Sequence, residues 1–537
     1  MSATTSATAL TLPSQPVVWR PKVNPWAIAA TVSIAAFVEV LDTSVANVAL
    51  PYVAGGLGAS YDDSTWVLTS YLAANAIVLP ISGWLAEIIG RKRYFMMSLT
   101  IFTVSSLLCG LAPSLPLLLF FRAVQGIGGG GLQPMAQAIL NDTFPPEQRG
   151  QAFAVYGVTA VLAPTVGPML GGWITDSYSW RWIFFITLPP VLLALYLTHI
   201  LVEDPPFLRR LKRGGIKVDY IGISMLALGV GSLQVLLDKG QEDDWFGSFF
   251  ITTLVITATV CLITLVIWEW FRKEPIIDVR MFKSFNFAAA NVMMFMMGFM
   301  LFSTLVLIPE FLQTLMGYTA ELAGLVLSGG GVVLLVMMPI VGRLTSKIQA
   351  RWLIAAGWLC LAIGLFYSAH NIDLFVSFKF AMWLRVTQVV GIGFLFVPIT
   401  AAGYIGIPEE KGNSVSGIIN FMRNIGGSIG TSVVTTMIVR RAQYHQQILV
   451  GHITPDTPAY RSALHALSSK IAHSGLRASD ARDQTIARFY ELVHRQGGAL
   501  SYMDIFWVLG ALCSIMFVLA FCLKKNDPGA GGQIAAG

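Results

Sequence analysis

Pro80-Ile81-Ser82-Gly83-Trp84-Leu85 recurs as Pro339-Ile340-Val341-Gly342-Arg343-Leu344, each time at the end of a long apolar run. Arg122, Gln125, Gly128 and Gly130 recur with identical spacing as Arg385, Gln388, Gly391 and Gly393, and Leu50-Pro51 recurs as Ile308-Pro309. The three landmarks keep their order at an offset of about 260 residues, the pattern of a duplicated bundle of membrane helices. The fold class that follows is an all-α polytopic membrane protein, two six-helix repeats plus two inserted helices.

Composition agrees. Hydrophobic residues make up 55% of the chain and charged ones only 12%, about half the charged share of a soluble protein. Lipid is the expected solvent, and a bilayer core takes about 20 apolar residues per helix. The formal charge of +6 and pI near 9.0 do not call for nucleic acid, because membrane proteins collect Lys and Arg on the cytoplasmic side. All 5 cysteines fall inside expected spans, with no paired or metal-like spacing, so neither a disulfide framework nor a metal site is indicated.

Apolar runs bounded by charges and turns give fourteen transmembrane helices, at 26–50, 64–84, 94–112, 115–140, 150–172, 182–201, 219–238, 247–270, 287–309, 320–343, 352–369, 376–403, 412–439 and 503–523. The first is too long for a signal-peptide core and is expected to be retained. Arg91-Lys92-Arg93, the Arg209 to Lys217 cluster and Arg272-Lys273 then share one side, which places both termini in the cytoplasm. The expected division is a cytoplasmic tail 1–25, a first bundle 26–201, a linker with the two inserted helices 202–286, a second bundle 287–523 and a tail 524–537. The second bundle includes a long external segment, 440–502. Leu464, Leu467 and Ile471, then Ile486, Phe489 and Leu492, suit two short amphipathic helices there, as a solvated cap or a partner-docking surface.

Charges inside a membrane are expensive and mark function. Glu39 and Asp42 are three residues apart on span one, on one side with Thr43 and Asn47, an inward polar stripe. Asp42 and Arg122 both lie about 10–12 Å below the external ends of their spans, within reach of each other. An acid held between desolvation and a guanidinium can take or release a proton as the site changes access. Arg423, in span thirteen, is placed to bind an anion, to counter the carboxylates, or to pair with an unseen acid. Gly83, Glu87, Gly90 and Arg91 lie at the inner end of span two, where a Glu87–Arg91 charge lock can gate the halves; a topology-setting basic loop is the plainer alternative. Gly157, Gly167-Pro168 and Gly171-Gly172 in span five suit a hinge or a packing seam, and no phosphate-loop motif accompanies these glycines.

The methionine-rich run 291–300 fits either an adaptable ligand surface or ordinary packing. The offset that aligns Pro51 with Pro309 sets Glu39 and Asp42 opposite Met297 and Met300. The expected division of labour is coupling in the first half and greasy substrate surface in the second. The site set is therefore Asp42, Glu39 and Arg122 for proton coupling, and Asn47, Gln125, Met297, Met300 and Arg423 for the substrate cavity; no catalytic residue is expected.

Five ordered motifs carry a resemblance to the major facilitator superfamily, to its fourteen-span drug:proton antiporters of the EmrB/QacA type. Leu41-Asp42-Thr43-Ser44-Val45-Ala46-Asn47-Val48-Ala49-Leu50-Pro51 resembles the first-span motif, Gly83 to Arg93 the loop motif, and Arg122-Ala123-Val124-Gln125-Gly126 the fourth-span motif. Gly157 to Gly172 resembles the antiporter motif, and Trp180-Arg181-Trp182-Ile183-Phe184-Phe185 is a further family-like signature. The resemblance implies a major facilitator fold and an exporter in the bacterial inner membrane that exchanges protons for amphipathic compounds. Asp42 takes the place of the proton-linked acid, Arg122 of the coupling arginine, and Gly167-Pro168 of the hinge. Glu87 departs from the usual Asp of the loop motif. No cofactor is implied beyond the proton gradient. Implied partners are the lipid bilayer, small hydrophobic substrates and, in Gram-negative cells, a periplasmic adaptor and outer-membrane channel. A transporter dedicated to one metabolite and a non-transporting membrane sensor are the competing functions.

Overall fold

The computed structural model describes residues 22–204, 218–408, 411–453, 457–472 and 478–524. The Arg209 to Lys217 cluster and nearly all of both tails lie outside the described residues. The first half comprises α1 (Pro25–Leu57), α2 (Tyr61–Ile89), α3 (Arg91–Leu111), α4 (Leu115–Gly129), α5 (Leu132–Thr143), α6 (Pro146–Ser177), α7 (Trp182–Phe185) and α8 (Leu188–Leu201). Next come α9 (Tyr220–Lys239) and α10 (Phe249–Phe271). The second half is α11 (Phe285–Thr314), α12 (Ala320–Thr345), α13 (Ala350–Asn371), α14 (Phe378–Gly403), α15 (Gly412–Gly451), α16 (Pro458–Ala472) and α17 (Ala478–Ala520). No strand occurs among the described residues, as expected where lipid leaves backbone groups no outside partner.

Local sequence sets the helix ends. Asn24 caps α1 by accepting the Trp26 backbone N–H at 2.9 Å, and Ser60 caps α2 through the Asp63 N–H at 3.0 Å. At Gly90, φ 94 reverses the chain between α2 and α3 in a conformation that favours glycine.

Among the described residues, 13 helical segments are long and apolar enough to cross a bilayer, counting α4 with α5 and α7 with α8. The fourteenth expected span is α15, a 40-residue helix packed lengthwise on α11. Its Gly, Ser, Thr and Asn residues and buried Arg423 make it too polar to qualify on composition alone.

The sequence duplication is also a spatial one. α1 packs on α6 as α11 packs on α15; α2 and α3 pack on α4 as α12 and α13 pack on α14. The halves meet along two seams, α2 with α15 and α6 with α12. The repeated glycine makes the tightest part of both seams at the end that carries the Gly90 turn. A Cβ on Gly83 would lie 2.8 Å from the Ser414 backbone, and one on Gly342 would lie 2.7 Å from the Gly150 carbonyl oxygen. Phe153 stacks on Tyr404 at the same end, 5.9 Å between ring centroids. At the other end the halves separate around a cavity. α9 packs on α10 and lies over the α2–α15 seam, while α10 turns Ile256, Val260, Ile263 and Ile267 outward as a lipid-facing surface.

The segment 440–502 differs from its expected form. α15 continues to Gly451, α16 forms the first expected amphipathic helix, and the second is the leading end of α17, unbroken into the last span. Asp504 joins α17 to α15 through Arg441 at 2.5 Å and His445 at 2.6 Å. Those bridges let two polar helix ends extend together.

Candidate functional site

The α1 polar stripe divides into two clusters. Residues three apart on a helix differ by about 60° in direction and residues four apart by about 40° the other way, so Asp42 and Thr43 turn to opposite sides of Glu39. Asp42 turns into the first bundle. Its Oδ2 accepts from Arg122 Nη1 at 2.6 Å and its Oδ1 from Gln125 Nε2 at 3.0 Å. Arg122 also donates to Gln125 Oε1 at 2.8 Å and to the Val67 carbonyl at 3.1 Å, and lies over the Tyr71 ring at 4.4 Å. Asp42 is 2% exposed and Arg122 0%. At that burial an ion pair needs hydrogen bonds to its remaining atoms; both Asp42 oxygens and Arg122 Nε and Nη1 have them, while Arg122 Nη2 has none.

Glu39 faces the cavity. It accepts from Tyr71 Oη at 3.1 Å, from Asn75 Nδ2 at 3.0 Å and from Gln133 Nε2. Gln133 Oε1 in turn accepts from Tyr156 Oη at 3.2 Å and from Arg423 Nη2 on α15. Tyr71 joins the clusters, its hydroxyl on Glu39 and its ring under Arg122.

The cavity measures about 1580 Å³. Glu39, Gln133 and Arg423 lie at its floor, with Thr43 and Asn47 above them on α1. Met297, Leu301, Phe302, Leu305, Ile392 and Phe396 make an apolar wall on the second half. Asp176, Asp238, Glu310 and Glu321 bring acidic groups towards the open end, and Arg423 is the lone Lys or Arg among the described lining residues. Asp238 shows that inserted helix α9 also walls the cavity.

Several expected placements change. Gln125 belongs to the Asp42 cluster and Met300 to the packed interior of the second half; neither lines the cavity, whereas Met297 does. The Glu87–Arg91 lock is not formed. The Gly90 turn directs Arg91 to the C-terminal end of α5, where it pairs with Asp142 Oδ2 and donates to the Ala138 carbonyl at 3.2 Å. Free carbonyls at a helix C-terminus favour a cation there. Glu87 instead accepts from Ser414 Oγ across the seam at 3.4 Å. Around Gly167 and Pro168, α6 is unbroken and forms a packing seam. Gly167 abuts Ser44 and Gly171 abuts Val45, while Ser44 Oγ donates at 3.3 Å to the Pro164 carbonyl that Pro168 leaves without a helical donor. Gly172 has nothing within 4 Å of where its Cβ would stand.

Gln133, Tyr71, Asn75 and Asp142 were not expected in the site. Gln133 is neutral and gives no charge signal; the break at Gly130-Gly131 between α4 and α5 is what starts the helix that presents it. Asp142 is hidden by the reversal at Gly90, which turns Arg91 away from Glu87 and onto the end of α5.

Replacing Asp142 by Asn is expected to destabilise the fold by about 3–5 kcal/mol, because Arg91 stays buried without a counter-charge. Thermal unfolding of the purified protein checks this. Arg91→Met with Asp142→Leu should recover most of the loss, and a single variant melting like the wild type would contradict the pairing.

Duplicated bundles, a cavity open at one end and a buried acid–arginine pair together define a helical transporter. The Major Facilitator Superfamily model matches residues 32–431. The multidrug export protein EmrB of Haemophilus influenzae is 39% identical over 90% of this chain and 94% of its own length. The fatty acid resistance protein FarB of Neisseria gonorrhoeae is 36% identical over 94% of this chain and 97% of its own. A solved structure of the proton:xylose symporter XylE has TM-score 0.58 at 14% identity, covering 95% of this chain and 97% of that one, which is a likeness of fold. The chain belongs to the major facilitator superfamily. It is a multi-pass inner-membrane transporter and not an enzyme.

Proposed function

We propose that this chain is a proton-driven antiporter that exports hydrophobic or amphipathic small molecules, multidrug efflux, by alternating access. The observation that carries the proposal is the sealed Asp42–Arg122 pair, one tyrosine away from a cavity whose floor holds Glu39 and whose wall is apolar. The names of the EmrB and FarB relatives support the substrate class.

Asp42 and Glu39 carry the proton, Arg122 couples to it as the fixed cation beside Asp42, and the gradient is the energy source, with no cofactor. Both termini are cytoplasmic in this proposal, supported by the Lys and Arg distribution, so the cavity faces outward and the Gly83, Glu87, Gly90 and Arg91 region closes the inner gate. The Gly167-Pro168 to Gly171-Gly172 stretch of α6 bends as the halves rock. A periplasmic adaptor and outer-membrane channel complete the route in Gram-negative cells, with the paired ends of α15 and α17 as the surface they meet.

Everted membrane vesicles test it. An acid interior should drive accumulation of several unrelated amphipathic dyes, and collapsing the gradient should release them. Accumulation that ignores the gradient would contradict antiport, and uptake of one compound alone would indicate a dedicated carrier.

A further inference from the structure

At the cavity floor the halves are tied by carboxamides. Gln133 on α5 bridges Glu39 of the first half and Arg423 of the second. One turn further towards the closed end, Asn420 Nδ2 donates to Gln137 Oε1 at 2.9 Å, again from α15 to α5. Side by side, these two bridges separate the cavity from the glycine seams.

We propose that Gln133 is a positioning residue that reads the protonation of Glu39 and transmits it to Arg423, so that a proton arriving through the cavity unlatches the closed end. This deepens the antiport reading and rests on it. An amide has one donating and one accepting end. Its NH₂ serves an ionised Glu39 while its oxygen serves the Arg423 guanidinium, and this one orientation satisfies both. A proton on Glu39 Oε2 sets two donors face to face. Turning the amide to relieve that contact points NH₂ at the guanidinium. A proton on Oε1 is met by Tyr71 and Asn75, and still removes the negative charge that faces Arg423.

The charged and titratable groups around Glu39 are Asp42 on its own helix, Tyr71 on α2, Arg122 on α4 behind Tyr71, Tyr156 on α6 and Arg423 on α15. Arg122 is already paired with Asp42, so Arg423 is the cation that responds. The direction suits export: protonation from the open side loosens the opposite side, as inward proton flow requires.

Spin labels at Gln148, near the start of α6, and Lys347, two residues past the end of α12, both exposed at the closed end, report the gate in the full-length protein with its own cysteines replaced and no substrate present. In the otherwise wild-type protein the label distance is expected to lengthen as pH falls. In Glu39→Gln and in Gln133→Leu it should be long at every pH. Wild-type pH dependence in either variant, or a wild-type distance that ignores pH, would overturn the proposal. Because no transported compound is involved, failure of dye export would leave this result standing, and the two failures are distinguishable.

Discussion

Asp42→Asn is expected to abolish concentrative export while leaving a membrane-inserted protein, destabilised by about 3–5 kcal/mol because Arg122 loses its counter-charge. Asparagine keeps the size of the side chain and an oxygen for Arg122, and Arg122 retains the Val67 carbonyl and Gln125 Oε1. What disappears is a group that exchanges a proton beside a fixed guanidinium. Each proton moving down the membrane potential supplies about 2.3 kcal/mol per 100 mV, or roughly a fifty-fold concentration ratio. Without it the steady-state substrate gradient in proteoliposomes should fall to equality. Substrate binding should survive, because the cavity walls do not include Asp42. Undiminished transport by the variant would remove Asp42 from the mechanism.

The second large effect is on assembly. Gly298 on α11 and Gly426 on α15 face each other's helices so closely that a Cβ at either would overlap a backbone carbonyl, that of Arg423 or of Phe295. A backbone carbonyl inside a helix cannot turn aside, so a larger residue must separate α11 from α15. That separation would disturb the packing of Met297 and Met300 and move Arg423, whose own carbonyl forms the contact. Gly426→Leu is expected to destabilise by more than about 3 kcal/mol, beyond ordinary overpacking, with little folded protein surviving detergent extraction. Size-exclusion chromatography with thermal unfolding measures this; a wild-type profile would contradict the close approach.

The repeat in the sequence foretold the architecture because each recurring residue has a spatial task. Gly83 and Gly342 close equivalent seams, and Arg122 and Arg385 are both buried within their bundles. The unequal chemistry was legible too. Asp42 pairs with Arg122, but Arg385 donates to Thr304 Oγ1 at 2.9 Å and no carboxylate pairs with it among the described residues. Met297 faces the cavity, but Met300 does not, because the two diverge around α11 as Glu39 and Asp42 do around α1.

Other features were hidden for physical reasons. A neutral amide such as Gln133 carries no mark of what it bridges. The Arg91 partner depended on a backbone reversal at Gly90 that sets direction over a few residues, whereas spacing along α2 pointed to Glu87. α15 is polar because its glycines and Arg423 face other helices and the cavity in place of lipid, so composition understates it. α17 continues through the expected loop because its polar end is held by α15 and α16, a tertiary effect that local periodicity does not contain.

Proton release on substrate addition tests the central claim most directly. With the purified protein in lightly buffered solution and a pH-sensitive dye, adding an exported amphipathic compound should release protons from the wild type, and the release should be lost in Asp42→Asn although the compound still binds. Binding with no proton release from the wild type at any pH tested would contradict coupling through this site.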